Sequence, residues 1–196
     1  RFNVSWASRL LEQPAAAPNL WNALEARPLT GFVAAITPFN FTAIAGNLPS
    51  APALLGNVVV WKPSPLAMRS AHELMTLFRA AGLPDGVINL VQGPAEELVH
   101  ATLDHPELGG VHFTGSTAVF RAIWRRVGEN IARYKAYPRL VGETGGKDFV
   151  FAHRSADVDA LAVALVRGAF EFQGQKCSAA SRAYVPRSIW PALRER

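Results

Sequence analysis

The sequence predicts an α/β fold, a doubly wound and mostly parallel sheet followed by the start of a second α/β domain. Three observations carry this expectation. Short apolar, β-branched runs alternate with segments of helical periodicity, no hairpin turn signal separates the runs, and the pattern changes after a Gly-rich stretch near Gly145. Crossovers in such a sheet are right-handed.

Residues 1–30 carry Pro14, Pro18 and Pro28 and read as a helix remnant with an irregular lead-in. Gly31-Phe-Val-Ala-Ala-Ile36 is a continuous apolar run that ends in Thr-Pro-Phe-Asn, which predicts a buried strand leaving a sheet. The segment from about Thr42 to Leu55 is helix-like, but Pro49 and Pro52 predict a kink or a break. Asn57-Val-Val-Val-Trp61 is a second strand, with Lys62-Pro-Ser-Pro65 as its turn. From Ala67 onward, Ala71, Leu74, Met75, Phe78 and Ala81 fall at helical spacing, and Gly82-Leu-Pro84 stops that helix. Val87–Val91 repeats the strand pattern, Pro94 to Leu103 forms a short helix, and Gly110-Val-His-Phe113 is a strand again. Thr114-Gly115-Ser116-Thr117 then opens a long helix towards Tyr134. Beyond Pro138-Arg-Leu-Val141 come Gly142-Glu-Thr-Gly-Gly146, a strand at Phe149-Val-Phe151, a helix with Val158, Leu161, Ala162, Leu165 and Ala169, and finally Gln173-Gly-Gln-Lys-Cys177. The expected organisation is a lead-in over 1–30, the sheet domain over 31–144 and part of a second domain over 145–196.

Composition narrows the function classes. The 196 residues are 49% hydrophobic and 18% charged, enough apolar material for a real core and too much for a disordered tail. The 15 Gly and 14 Pro are scattered without a period, which excludes solenoids and collagen. Apolar stretches are broken by Pro, Asn or Lys before they could span a bilayer, and Arg1 to Trp6 do not read as a signal peptide. The expectation is a soluble, intracellular, cytoplasmic protein. A formal charge of +5 raises the question of nucleic acid, but the densest basic run, Arg121 to Arg139, includes Glu129 and has the spacing of a solvated helix face. No nucleic-acid or membrane partner is expected. Cys177 is the single cysteine, so an intrachain disulfide and a Cys-rich zinc site are both impossible.

Several residues carry candidate chemistry, each with a plainer alternative. Gly115-Ser116, between strand and helix, suits a phosphate held at a helix N-terminus, and equally an ordinary helix cap. The three spaced glycines of the usual dinucleotide fingerprint are absent, and Gly145-Gly146-Lys147 is followed by Asp148 where a P-loop needs Ser or Thr. Lys62 follows a strand and would sit at the carboxyl edge of the sheet, as a ligand for ribose or phosphate or as a surface lysine. Asn40 follows a strand end, where its amide can donate to a developing oxyanion or simply form a turn. Cys177 stands beside Lys176, and a nearby cation lowers a thiol pKa from about 8.5, whereas a lone cysteine can equally be a buried small hydrophobe. Glu143, set between Gly142 and Thr144-Gly-Gly, is either a general base or a solvated loop glutamate.

Taken together, Pro-Phe-Asn, Trp-Lys-Pro-Ser, Phe-Thr-Gly-Ser, Gly-Glu-Thr-Gly-Gly-Lys and Gly-Gln-Lys-Cys, in this order and each in its βα context, resemble the aldehyde dehydrogenase superfamily from about Gly31 to Pro186. Within it, the run from Gly31 through Pro38-Phe-Asn-Phe to Pro49 and the run Phe170-Glu-Phe-Gln-Gly-Gln-Lys-Cys-Ser-Ala-Ala-Ser-Arg182 look like the L-glutamate γ-semialdehyde (1-pyrroline-5-carboxylate) dehydrogenases of proline catabolism. The resemblance implies a Rossmann-like NAD-binding domain over 31–144 and a partial catalytic domain over 145–196. It implies Cys177 as nucleophile, Asn40 with the Cys177 N–H as oxyanion hole, and Glu143 as the base for the deacylating water. It further implies Lys62 on the adenosine ribose, Thr37 touching NAD, Gly115, Ser116, Thr117, Ala118 and Val119 along the pyrophosphate, and Phe41 walling the aldehyde tunnel. A small-molecule aldehyde substrate and a homo-oligomer follow from the same source, and no metal. Another aldehyde dehydrogenase, such as one for succinate semialdehyde, or a truncated NAD-binding module without activity, are the rival readings. Two features depart from the family. Pro65 stands where many NAD-preferring relatives have an acid, so NAD against NADP is not legible there. Relatives also continue far beyond position 196, so the chain is expected to be a fragment, inactive and sticky on its own, with Phe149, Phe151, Leu161, Leu165 and Tyr184 left partly uncovered.

Overall fold

In the computed structural model, residues 2–196 are described. The chain divides into two compact units, one ending at Glu143 and one starting at Thr144.

The first unit is built on β1 (Phe32–Thr37), the middle strand of a five-stranded sheet. Its neighbours are β2 (Val58–Pro63) and β4 (Leu108–Thr114), with β3 (Ile88–Leu90) and β5 (Arg139–Glu143) at the edges, giving the order β3-β2-β1-β4-β5. Every pairing is parallel. A parallel central strand is covered on both faces, which is why β1 is apolar from Phe32 to Ile36 rather than alternating. Val33 and Ala35 pack with Val59, Trp61 and Ile88 under α2 (Thr42–Leu54) and α3 (Met68–Ala80). Ala34 and Ile36 point the other way, joining Val111 and Phe113 under α4 (Ala95–Leu103) and α5 (Thr117–Glu129). The chain runs outward from β1 to β3, then α4 carries it back across to β4. The winding therefore reverses between β1 and β4, the place where open α/β sheets bind ligands.

The lead-in belongs to this unit. Helix α1 (Phe2–Leu10) meets α2 through Asn3 Nδ2, which donates to Asn47 Oδ1 at 2.6 Å, and Thr30 passes so close to β4 that a Cβ on Gly109 would lie 2.6 Å from its carbonyl oxygen.

Helix α2 runs from Thr42 to Leu54 with Pro49 and Pro52 inside it, so of the kink or break expected there the break does not occur. Pro52 has no N–H to give the Leu48 carbonyl four residues earlier. That carbonyl is met instead by His112 Nδ1 from β4, at 3.0 Å. The ring nitrogen must carry the proton there, because a carbonyl only accepts. A tertiary donor replaces the missing helix donor, and the helix continues.

Two other elements differ from expectation. Arg139–Glu143 forms β5, so Glu143 ends a strand and is not in a loop; its pairing with β4 supplies what the local sequence signals weakly. Helix α5 stops at Glu129, and a 3-10 turn over Ile131–Arg133 follows, because Asn130 turns its side chain to Asp104 Oδ1 at 2.8 Å. Arg126 Nε donates to the same carboxylate at 2.7 Å, holding it below the usual carboxylate range. Lys135 pairs with Glu107. The basic run is thus partly a set of ion pairs that pin α5 and the segment after it to residues 104–107.

The second unit contains β6 (Phe149–Phe151) paired in parallel with β7 (Arg182–Tyr184), helix α6 (Val158–Phe170) and helix α7 (Trp190–Arg194). Asp157 caps α6 by accepting from the Ala160 N–H at 2.8 Å. Its core is Ala152, Leu161 and Leu193. Leu161 is therefore buried, not partly uncovered as expected, because α7 brings Leu193 and Ile189 over α6, whereas Leu165 is only partly covered. Phe149, Phe151 and Tyr184 are 58%, 76% and 46% exposed and cover one another only by ring contacts. Among the described residues no helix is long and apolar enough to cross a membrane.

Two outcomes are expected from this architecture. Burial pushes the His112 pKa down, so protonation opposes folding: its stabilising share is complete above the unfolded value near 6.5 and is lost as pH falls from there through the folded value. His112→Asn keeps a donor for Leu48 and removes the titration, so the difference in melting temperature between variant and parent should change across that window and be constant above it. For the second unit, the exposed aromatic face should bind an apolar dye such as ANS, and Phe151→Ser should reduce the fluorescence without lowering helix content by circular dichroism.

Candidate active site

Parallel strands put all their carboxyl ends on one edge. Register aligns Ile36 with Lys62 on one side and with Phe113 on the other, and Thr114 with Glu143. Thr37, Asn40, Phe41, Lys62, Gly115 to Val119 and Glu143 therefore leave the first unit from the same edge. Cys177 belongs to the second unit.

Thr37 is only 3% exposed. Its Oγ1 accepts from the Trp61 indole at 3.0 Å, and its carbonyl accepts from the Ser64 N–H at 3.0 Å. It bolts the end of β1 to β2 and the turn beyond, and its open surface for any bound molecule is confined to that small fraction. The turn it secures carries Lys62, which is half-buried, and burial draws the ammonium below the usual lysine range. Ser64 then accepts from the Leu66 N–H at 3.4 Å and caps a 3-10 turn over Pro65–Ala67.

Asn40 and Phe41 lie between β1 and α2, both partly buried. Phe41 has extended backbone, and its carbonyl receives the Ala45 N–H at 3.0 Å, so Asn40 sits one residue outside the helix start.

On the other side of the edge, Ser116 is the cap of α5: its Oγ accepts from the Val119 N–H at 3.2 Å, and its carbonyl accepts from Phe120 at 3.1 Å. The N–H groups of Thr117 and Ala118 precede the first intrahelical bond and have no acceptor within the helix. The cap and the anion-attracting helix start are thus properties of the same turn. Gly115 donates its N–H to the Glu143 carbonyl at 3.1 Å, tying this turn to the end of β5. Glu143 itself is exposed.

Four supporting residues were given no role in the sequence reading. Phe120 stacks on Phe113 with centroids 5.6 Å apart. A Cβ on Gly115 would lie 2.6 Å from the Phe113 ring, and one on Gly142 would lie 2.3 Å from the Phe120 ring. Phe113, Phe120 and Gly142 therefore set the height of both the α5 turn and Glu143, and Trp61 does the same for Thr37. Gly142 and Trp61 each stand inside a quoted motif, but only the partner across the fold gives them meaning.

In the second unit, Cys177 is exposed in a turn closed by the Ala179 N–H to the Lys176 carbonyl at 3.1 Å. Phe172 and Gln173 just before it have φ of 51° and 60°, and Gly174 follows at 70°. Left-handed backbone costs an ordinary residue about 1 kcal/mol or more, so two in succession mark a conformation imposed by its surroundings. The Lys176 ammonium, expected to act on the thiol, pairs with Glu171, whose carboxyl is held low first by Lys176 and then by Arg167. Its charge is answered locally, because the turn after α6 brings the two side chains together. Among the described residues no three His, Cys, Asp or Glu side chains converge as metal ligands would.

The model of the aldehyde dehydrogenase family matches residues 1–196. A probable delta-1-pyrroline-5-carboxylate dehydrogenase of Schizosaccharomyces pombe is 54% identical over 194 residues, covering 97% of this chain and 35% of that protein. A mitochondrial delta-1-pyrroline-5-carboxylate dehydrogenase of Emericella nidulans is 55% identical over 193 residues, 96% of this chain and 34% of that one. The crystal structure of the delta-pyrroline-5-carboxylate dehydrogenase of Mycobacterium tuberculosis bound with NAD is 59% identical with a TM-score of 0.94, covering all of this chain and 37% of that one. The chain thus spans about 35% of the length of the curated relatives it matches. With a sheet edge of this form and a family match that runs from its first residue to its last, the chain belongs to the aldehyde dehydrogenase family.

Proposed function

We propose that this chain carries the NAD-binding unit and the nucleophile-bearing segment of a dehydrogenase that oxidises L-glutamate γ-semialdehyde, the hydrolysis product of 1-pyrroline-5-carboxylate, to L-glutamate. The observation that carries the reading is the 59% identity, over the whole chain, to an NAD-bound pyrroline-5-carboxylate dehydrogenase. The residues fit a dinucleotide. The α5 turn offers Thr117 and Ala118 N–H groups at a helix start with no side chain on Gly115, and Lys62 stands half-buried at the same sheet edge, drawn down in pKa as a desolvated cation is. Lys62 would hold the adenosine ribose and Gly115 to Val119 the pyrophosphate.

Bound NAD would supply the hydride acceptor. The rest is done by the chain's own groups. The Cys177 thiolate adds to the aldehyde carbon, and the charge that collects on the oxygen is met by the Asn40 amide and the Cys177 N–H. Loss of hydride leaves a thioester on Cys177. Glu143 takes a proton from water, the hydroxide adds to the thioester carbon, and the thiolate departs as glutamate forms. Phe41 would wall the approach of the aldehyde, and Thr37 would act mainly by holding the Lys62 turn. A homo-oligomer is part of the proposal, to be read by light scattering. A cytoplasmic location competes with the mitochondrial one in the names of several relatives, and fractionation of cells expressing the tagged protein decides between them.

Cys177→Ala in the enzyme carrying this chain should abolish aldehyde oxidation and leave NAD affinity, measured by calorimetry, near that of the parent. Appreciable turnover by this variant removes Cys177 as nucleophile. Glu143→Gln should slow deacylation more than hydride loss, so stopped-flow absorbance should show a burst of NADH before a slow steady state. A burst that vanishes in step with turnover would put Glu143 in thiol activation instead.

A further inference from the structure

The paired glycines of Thr144-Gly-Gly-Lys look equivalent in sequence, and in space they are not. A Cβ built on Gly145 meets nothing within 4 Å. One built on Gly146 would lie 2.0 Å from the carbonyl oxygen of Cys177, 3.0 Å from its carbonyl carbon and 2.4 Å from Asp148 Oδ2. The Asp148 carboxylate is the end of a side chain and can swing away. The Cys177 carbonyl is backbone and cannot move without carrying the residue with it. Neither glycine is in left-handed backbone, so the demand at 146 is for closeness and not for an unusual dihedral angle.

The two segments also cannot drift apart to make room. Two residues beyond Gly146, the Asp148 carbonyl accepts from the Ser181 N–H at 2.9 Å and from the Ser181 hydroxyl at 3.2 Å, and the β6–β7 ladder continues from there. On the far side, the Ala180 N–H is tied to the Gly168 carbonyl at 2.9 Å. The Cys177 turn is held from behind by α6 and from below by residues 146–148, and the left-handed run Phe172–Gly174 feeds into it.

We infer that Gly146 is a positioning residue for Cys177: the lack of a side chain there lets the Gly146 backbone seat against the Cys177 carbonyl and so fixes the turn from which the thiol and the N–H are presented. This rests on the proposed role of Cys177 as nucleophile, yet its test needs no turnover. Because Cys177 is the sole cysteine, its alkylation by iodoacetamide can be followed in the full chain by mass spectrometry as a function of pH. Gly146→Ala should change the pH–rate profile several-fold and lower the melting temperature while circular dichroism keeps the parent's helix content, and Gly145→Ala should react and melt as the parent does. Gly146→Ala combined with Asp148→Ala should remain perturbed, since the backbone collision persists. In the active enzyme, the same displacement, about 1 Å, should lower kcat by about 100-fold with the KM for NAD unchanged. The inference is overturned if Gly146→Ala alkylates like the parent, if Gly145→Ala shifts as much, if removal of Asp148 restores the profile, or if Gly146→Ala reacts at the rate of the urea-unfolded chain. An inactive parent with the alkylation contrast intact would sink the proposed reaction and leave the positioning role standing.

Discussion

Burial of β1 on both faces is the constraint from which the first unit follows. A parallel strand with helices above and below is apolar wherever no hydrogen-bond partner is at hand, and Val33, Ala34, Ala35 and Ile36 satisfy that between the two helix layers. Parallel neighbours need crossovers, and crossovers put each strand's carboxyl end on one edge. The candidate groups Lys62, Gly115 and Glu143 come from distant parts of the sequence and share an edge only because this topology leaves them no other place.

Within each unit the recurrent device is close approach without side chains. Gly115 and Gly142 each lie against one ring of the stacked pair Phe113 and Phe120, and Gly146 lies against the carbonyl of Cys177. A backbone seated this closely has little room to shift, which suits groups whose chemistry depends on displacements well under an ångström. The polar bolts serve the same end. Trp61 holds Thr37, the Thr37 carbonyl holds the Lys62 turn, and Gly115 holds the end of β5.

Much of this was legible in the order of residues. The βα alternation is written in apolar runs and helical spacing, and the motifs at Asn40, Lys62, Gly115, Glu143 and Cys177 stand in the loops and strand ends that this alternation creates. Two of the misses share one cause, a partner far along the chain. Pro49 and Pro52 announce a kink or a break, and α2 is not broken because His112, 60 residues beyond Pro52, serves the orphaned Leu48 carbonyl. Glu143 looked like a loop residue because β5 owes its existence to pairing with β4. Lys176 looked like a cation beside a thiol because Glu171 is near it only after α6 ends in its left-handed turn.

The amino-acid order alone settled the fold class, the family and the chemical type of each candidate group, because periodicity, turn chemistry and short motifs are local properties that a chain carries before it folds. Folding alone settled which glycine of a pair matters, which cation is already neutralised and which carbonyl receives a donor, because each is a matter of a few ångströms between residues that sequence does not place side by side. Gly145 and Gly146 show the difference most plainly: one residue in two copies, with open space beside the first and the backbone of Cys177 against the second.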